Sequence, residues 1–245
     1  MRVLLVPGGG SPVAGSFPED FEQSLSAVAR LIGFDAPGYD AASGRRWLPL
    51  PDQARWLADA VRRDGPGRVL VVGHSLGSLV ALRLALDQPD VVAGLLLLDP
   101  SPPPFGALMP RPLLELIAAG CRTTRWLSRA SRMLSGRRPP TPAARSVPLS
   151  VRLRWFFLLG GLAVTAEVAA GGISGVQTTI VSAGSNGPGS ATRRSHERLA
   201  RWIPGATFEV WPDTTHGLHL EEPVRVAVAA ADLLRAAANH GVSSS

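Results

Sequence analysis

The chain has no lysine: all 25 of its basic residues are arginine. A phosphate-gripping loop ending in Lys-Ser or Lys-Thr is thereby excluded. The glycine run Pro7-Gly8-Gly9-Gly10 also fails the G-x-G-x-x-G spacing of a dinucleotide site. Cysteine is nearly absent. A single residue, Cys121, allows neither an internal disulfide nor a cysteine-built metal cluster, and the default expectation is a cytoplasmic enzyme. Long apolar runs are missing too. The longest, Trp155 to Gly172, is broken by Glu167 and several glycines, falls short of a transmembrane span, and reads as a buried or lid helix. The opening Met-Arg-Val-Leu-Leu-Val has four apolar residues before Pro7 and no small-residue cleavage site after them, so it reads as a strand and not a signal peptide.

What is present is the composition of a folded domain. Hydrophobic residues make up 45% of the 245 positions and charged residues 18%, which excludes intrinsic disorder. The net charge of +6 is unevenly spread. Between Ser101 and Trp155 stand ten arginines and one acid, Glu115, giving that segment +9 and leaving −3 for the rest. Such a segment is either a solvated basic face or a contact for an anionic substrate, an acidic partner or a membrane surface. No nucleic-acid-binding motif accompanies it.

Short Val- and Leu-rich runs alternate with helical patterns. Strands are expected at Arg2–Val6, Gly33–Ala36, Arg68–Val72, Val92–Leu98, Gln177–Ser182 and Thr207–Trp211. Helices are expected at Asp20–Leu31, Asp52–Arg63, Leu76–Leu86, Ser190–Trp202 and Glu222–Ala238. Alternation of this kind predicts an α/β fold, a mostly parallel sheet with helices on both faces. The alternation breaks at Ser101-Pro102-Pro103-Pro104. From there to about residue 170 only helical stretches occur (Arg111–Ala119, Arg122–Leu134, Val151–Leu159), joined by proline-rich links. The expected organisation is a core of residues 1–100 and 171–240, a helical cap over 101–170, and a disordered tail at 241–245.

Two motifs carry chemistry. Gly73-His74-Ser75-Leu76-Gly77 matches G-x-S-x-G, a weak signal alone. Here four apolar residues, Val69 to Val72, lead in, and Ser78-Leu79-Val80-Ala81-Leu82 leads out as a helix. That strand–turn–helix setting exposes a serine hydroxyl at the end of a sheet, with glycines where strand and helix pass too close for a Cβ. The second motif follows the last expected strand: Asp213-Thr214-Thr215-His216-Gly217-Leu218-His219, then Glu221 and Pro223.

Together these resemble the α/β-hydrolase family, over nearly the whole chain outside the expected cap. The resemblance implies a compact sheet of about six parallel strands and a serine hydrolase with Ser75 as nucleophile and His216 as general base. It also implies an oxyanion hole made by the N–H of Leu76 and an N–H from the loop after the first strand. In that loop Gly9 is the first choice and Gly10 the near alternative. Of the other histidines, His219 is expected to pack, His74 to point away from the nucleophile, and His196 and His240 to lie on the surface.

The acid departs from the family pattern. The usual Gly-x-x-Asp turn reads Gly184-Ser185-Asn186-Gly187, with Gly187 where the carboxylate belongs. The other acids between Ser75 and His216 fall at the far end of the sheet, on helices, inside a strand or within the His216 loop. Asp99 remains, at the C-terminal end of the strand Leu95–Leu98, where active residues of open parallel sheets gather. Some family members, notably haloalkane dehalogenases, carry their acid after this strand. Asn186 stays open as a weaker partner for His216.

The expected reaction is hydrolysis of a carboxylic ester or thioester through an acyl-enzyme, with no cofactor and no metal. The substrate is expected to be a small molecule, with apolar cap residues such as Trp126, Trp155 and Phe156 suiting a hydrophobic ester or acyl chain. Neither nucleic acid nor a transmembrane segment is expected, and the sequence leaves the oligomeric state open. The same residues could also serve C–C hydrolysis or perhydrolysis. The rival from another class is a non-catalytic binding protein on the same fold.

Overall fold

The fold is that of a computed structural model, which describes residues 2–8, 12–17, 19–27, 29–35, 48–101 and 160–242, with isolated positions between 110 and 123. The elements run β1 (Arg2–Val6), α1 (Glu19–Ser26), β2 (Arg30–Gly33), α2 (Leu50–Asp64), β3 (Val69–His74), α3 (Leu76–Asp87) and β4 (Val92–Leu98). After the expected cap come α4 (Leu162–Ala169), β5 (Gln177–Ala183), α5 (Ala191–Trp202), β6 (Thr207–Trp211), α6 (Leu218–Glu221) and α7 (Pro223–Val242). The six strands form one sheet in the order β2-β1-β3-β4-β5-β6, and every neighbouring pair is parallel. The expected α/β class and six-strand sheet are what the structure has.

Parallel strands covered on both faces are near-continuous apolar runs. Accordingly β1 is buried throughout, and β4 is buried at all but Ala93. Their side chains alternate between two cores. Leu4, Val69, Val71, Leu95 and Leu97 pack on the face that carries α2, α3, α4 and α5. Val3, Leu5, Leu70, Val72, Leu96 and Leu98 pack on the other, with Phe21 and Leu25 of α1 and Val226, Ala230 and Leu233 of α7.

One strand is displaced from its expected place. β2 occupies Arg30–Gly33, beginning in the last two residues of the expected helix Asp20–Leu31 and sharing only Gly33 with the expected strand Gly33–Ala36. Pairing with β1 (Arg2↔Arg30 through Leu5↔Gly33) claims these residues, overriding the helical pattern that runs into them. Asp64, at the end of α2, pins the start of both strands through ion pairs to Arg2 and Arg30.

The expected cap boundary at residue 170 falls at the end of α4, whose side chains are buried against α3 and α5. Glu167, expected on a cap helix, lies at the α3–α4 contact. It accepts from Arg83 Nη1 at 3.0 Å, and Arg83 Nη2 reaches Asp87 at 2.7 Å. The cap arginines, the expected helices Arg122–Leu134 and Val151–Leu159, and the tail beyond Val242 lie outside the described residues. No described helix is long and apolar enough to cross a membrane.

The tightest approach in the sheet is where α3 leaves β3. A Cβ on Gly77 would lie 2.1 Å from the Val6 carbonyl oxygen and 2.6 Å from that of Pro7. A Cβ on Gly187 would meet nothing within 4 Å. Gly77→Ala should therefore lower the urea midpoint by an amount equivalent to about 1–3 kcal/mol or more, while Gly187→Ala leaves it within about 0.5 kcal/mol. Equal midpoints for the two variants would contradict the packing described.

Candidate active site

The site forms at the C-terminal ends of β3 and β4, where the described backbone adopts unusual conformations. Ser75, between β3 and α3, has φ 52° and ψ −120°. Asp99, the residue after β4, has φ 40°, and Asp213, in the loop after β6, has φ 58°. Left-handed φ at non-glycine residues costs about 1–3 kcal/mol each and persists only where surrounding contacts over-determine it. Around Ser75 those contacts are its N–H to the Leu98 carbonyl (3.0 Å) and its own carbonyl, which accepts from the N–H groups of Ser78 and Ser101 (3.1 Å each). The three neighbouring glycines are sterically required. A Cβ on Gly73 would sit 2.9 Å from Ser78 Cα, Gly77 is described above, and a Cβ on Gly8 would sit 2.6 Å from Ser75 Cβ.

The three residues singled out in the sequence meet. Ser75 Oγ lies 2.9 Å from His216 Nε2, and His216 Nδ1 lies 2.6 Å from Asp99 Oδ2. Asp99 is 4% exposed. Burial alone would push its carboxyl pKa up, but the bond from His216 and the N–H of Ala183 on Oδ1 (2.9 Å) outweigh it, so the pKa is lowered and the group is ionised. An ionised carboxylate only accepts, so His216 Nδ1 carries the proton and Nε2 is free to accept from Ser75. The same bond to Asp99 raises the His216 pKa above the ordinary 6.5, against a smaller opposing effect of burial.

Asn186 does not reach His216. Its Nδ2 donates to Asp99 Oδ1 at 2.6 Å and to Ser182 Oγ at 3.4 Å. The residue weighed as a replacement for the acid instead holds the acid in place. His196 corrects a second expectation. It is 1% exposed, not on the surface, because it lies on the inner face of α5 with Ser195 and Leu199. His196 Nε2 donates to the Pro100 carbonyl at 2.6 Å, and Nδ1 accepts from Ser182 Oγ at 3.0 Å. Burial keeps it neutral, lowering its pKa despite the Pro100 bond and the nearby Asp99. The strand end Asp99-Pro100 is thus gripped from β5 and α5 together. His196 also shows a signal that helical periodicity contains: positions 195, 196 and 199 form one buried stripe on an otherwise charged helix.

The His216 loop is fixed from both ends. Glu221 accepts from the Thr215 N–H at 2.7 Å and from the Thr215 hydroxyl. His74 donates from Nε2 to the His216 carbonyl at 2.8 Å, and its ring lies beside the His216 ring, centroids 4.9 Å apart. His219 packs against the His74 ring, centroids 4.0 Å apart, and bonds the Ser16 carbonyl. The side chain of His240 lies outside the described residues.

Of the oxyanion donors, Gly9 and Gly10 lie outside the described residues. Leu76 opens α3, where first-turn N–H groups have no intrahelical acceptor. One residue that sequence reasoning missed touches the nucleophile: Ser101 Oγ lies 2.9 Å from Ser75 Oγ. Ser101 also lines a small recess with Leu79, Leu82, Thr165, Leu199 and Trp202. No sequence signal beyond its place two residues after Asp99 marks it. Among the described residues, no group of three or more His, Cys, Asp or Glu is arranged to hold a metal.

Comparison with known proteins agrees with this fold. The model of the family described as "Alpha/beta hydrolase family" matches residues 3–230. A pimeloyl-(acyl-carrier protein) methyl ester esterase of Photorhabdus laumondii is 44% identical over 73 residues, 30% of this chain and 26% of that protein. The first curated relatives are matched over less than a third of their own length. Among solved structures, a thermophilic esterase from Thermogutta terrifontis superposes with TM-score 0.57 at 22% identity, covering 97% of this chain and 90% of that one. The enol-lactonase from Burkholderia xenovorans LB400 gives 0.60 at 18%, covering 96% and 91%. These two share the fold.

Three histidines, His196 and His219 buried and His74 half-buried, make the site sensitive to acid. Burial, with the neighbouring His219, lowers the His74 pKa to about 4, and burial likewise lowers His196 and His219. The unfolded chain takes up these protons near the ordinary 6.5, before the folded chain does, so stability falls as pH falls. For His74 the window runs from 6.5 down to about 4. Urea midpoints measured across that window should decline less steeply in His74→Gln than in wild type; identical slopes would contradict a neutral, half-buried His74.

Proposed function

From the premise that this chain belongs to the alpha/beta hydrolase family, we propose that it is a serine hydrolase cleaving a carboxylic ester or thioester through an acyl-enzyme. The observation that carries the reading is the unbroken hydrogen-bonded chain Ser75 Oγ–His216 Nε2 (2.9 Å) and His216 Nδ1–Asp99 Oδ2 (2.6 Å). In this reading Ser75 Oγ attacks the carbonyl carbon as its proton passes to His216 Nε2. The oxyanion is held by the N–H of Leu76 and one from the Gly9-Gly10 loop. His216 then protonates the leaving alcohol or thiol, and the Ser75 ester is hydrolysed by water through the same steps. Asp99 keeps His216 in the Nδ1–H tautomer and stabilises the imidazolium.

The half-exposed His216 ring (57%) is accessible to substrate. Leu79, Leu82, Leu199 and Trp202 put apolar surface near Ser101, which suits a hydrophobic acyl or alkyl group. The name of the Photorhabdus relative makes methyl esters of acyl chains the first substrates to assay. The rival reading, a non-catalytic binding protein, draws on Gly187 standing where the family's carboxylate belongs; against it stands Asp99, which meets His216 from the end of β4.

Two measurements test the reading. Treatment with a fluorophosphonate followed by intact and peptide mass spectrometry should show rapid labelling at Ser75, none in Ser75→Ala, and labelling slowed about ten-thousand-fold in Asp99→Asn. Absence of labelling in folded wild-type protein would favour the binding protein. The kcat/KM profile for an ester should fall on the acid side with a midpoint above 6.5, because His216 must be neutral to act as base. Asp99→Asn removes the group that raises that pKa, so the residual activity of this variant should hold to lower pH.

A further inference from the structure

Ser75 Oγ has two hydrogen-bond partners, and one proton with which to serve them. Its hydroxyl must donate to His216 Nε2, since Nδ1 of that ring is committed as donor to Asp99. The second contact, Ser101 Oγ at 2.9 Å, is therefore made with Ser101 as donor. The position of this hydroxyl is fixed by the backbone. The Ser101 N–H donates to the carbonyl of Ser75 itself, and the preceding Pro100 carbonyl is held by buried His196.

We propose that Ser101 is a further catalytic residue, whose hydroxyl stabilises Ser75 Oγ whenever that atom carries negative charge and acts mainly in deacylation. This deepens the serine-hydrolase reading and rests on it. The strength of this hydrogen bond differs among three states. In the free enzyme Ser75 Oγ is a hydroxyl oxygen, and the bond is of ordinary neutral strength. In both transition states Oγ is partly bonded and partly anionic, and a bond to it is about twice as strong. In the acyl-enzyme Oγ is an ester oxygen conjugated to a carbonyl and is a poor acceptor. Only interactions stronger in the transition state than in the preceding ground state accelerate a step. Acylation starts from a state in which the bond already exists, so it gains little. Deacylation starts from a state in which the bond is nearly lost, so it gains most. No proton leaves Ser101: His216 returns the proton to Oγ as the Oγ–C bond breaks.

The test uses the full chain and p-nitrophenyl acetate and butyrate, whose good leaving group makes acylation fast. In Ser101→Ala, kcat should fall about ten- to a hundredfold, the range for a hydrogen bond to a charged group. KM should fall with it, because kcat/KM reports acylation and changes by several-fold less. Intact mass spectrometry at steady state should show acylated Ser75 accumulating in Ser101→Ala above the wild-type level. Ser101→Thr, which keeps a hydroxyl, should recover much of the rate. The deacylation defect should be alike for acetyl and butyryl, because the bond is to Oγ. A defect that grew with acyl length would assign Ser101 to the recess and overturn the proposal. So would an equal loss of kcat and kcat/KM, or no change in either. If wild type forms no acyl-Ser75 and Ser75→Ala turns over the esters normally, the hydrolase reading itself fails and Ser101 falls with it.

Discussion

A carboxylate buried at the end of a central strand is the constraint on which the rest of this molecule turns. Asp99 follows β4, in the middle of the sheet, and is almost wholly out of water. An isolated ion there would be prohibitively costly. It is tolerated because its N–H continues the β4–β5 ladder to Val181, its Oδ1 receives Ala183 N–H and Asn186 Nδ2, and its Oδ2 receives His216. Those donors come from β5, the turn after it and the loop after β6. Their common dependence on one carboxylate draws these three segments together. The Ser182–His196–Pro100 bonds then close a ring of partners around Asp99 that leaves its backbone little freedom to relax from φ 40°.

The second constraint is steric. β3 and α3 meet the end of β1 so closely that residues 8, 73 and 77 have no space for a side chain. The strained Ser75 is the corner of that contact, and the covering layers on both faces of the sheet resist its relaxation. Fold stability and site geometry are therefore linked through the same backbone atoms, among them the carbonyls of Val6 and Leu98.

Much of this is legible in the sequence, for identifiable reasons. β4 can be read to the residue because a fully buried parallel strand is a continuous apolar run with sharp ends. The Ser75 turn is legible because its glycines are dictated by contact distances, and His216 because its loop carries Glu221 and Pro223 at fixed spacing. Asp99 could be reached by elimination among few acids. What is not legible depends on distant partners. β2 is placed by pairing with β1, which overrides a helical pattern that fits the same residues. Asn186 sits at a position from which reaching His216 or Asp99 is decided by a turn, and only coordinates distinguish them. His196 was obscured by the four arginines of its helix, and Ser101 by a proline-rich context that marks the end of the core.

The hydrogen bond that His216 Nδ1 donates to Asp99 Oδ2 (2.6 Å) carries the site. Proton NMR of the folded wild-type protein at low temperature measures this directly. The account predicts a far-downfield resonance from the His216 Nδ1 proton, lost in His216→Gln, lost or moved strongly upfield in Asp99→Asn, and retained in Gly187→Ala. A downfield resonance that survives unchanged in Asp99→Asn would contradict it and move the acid away from β4.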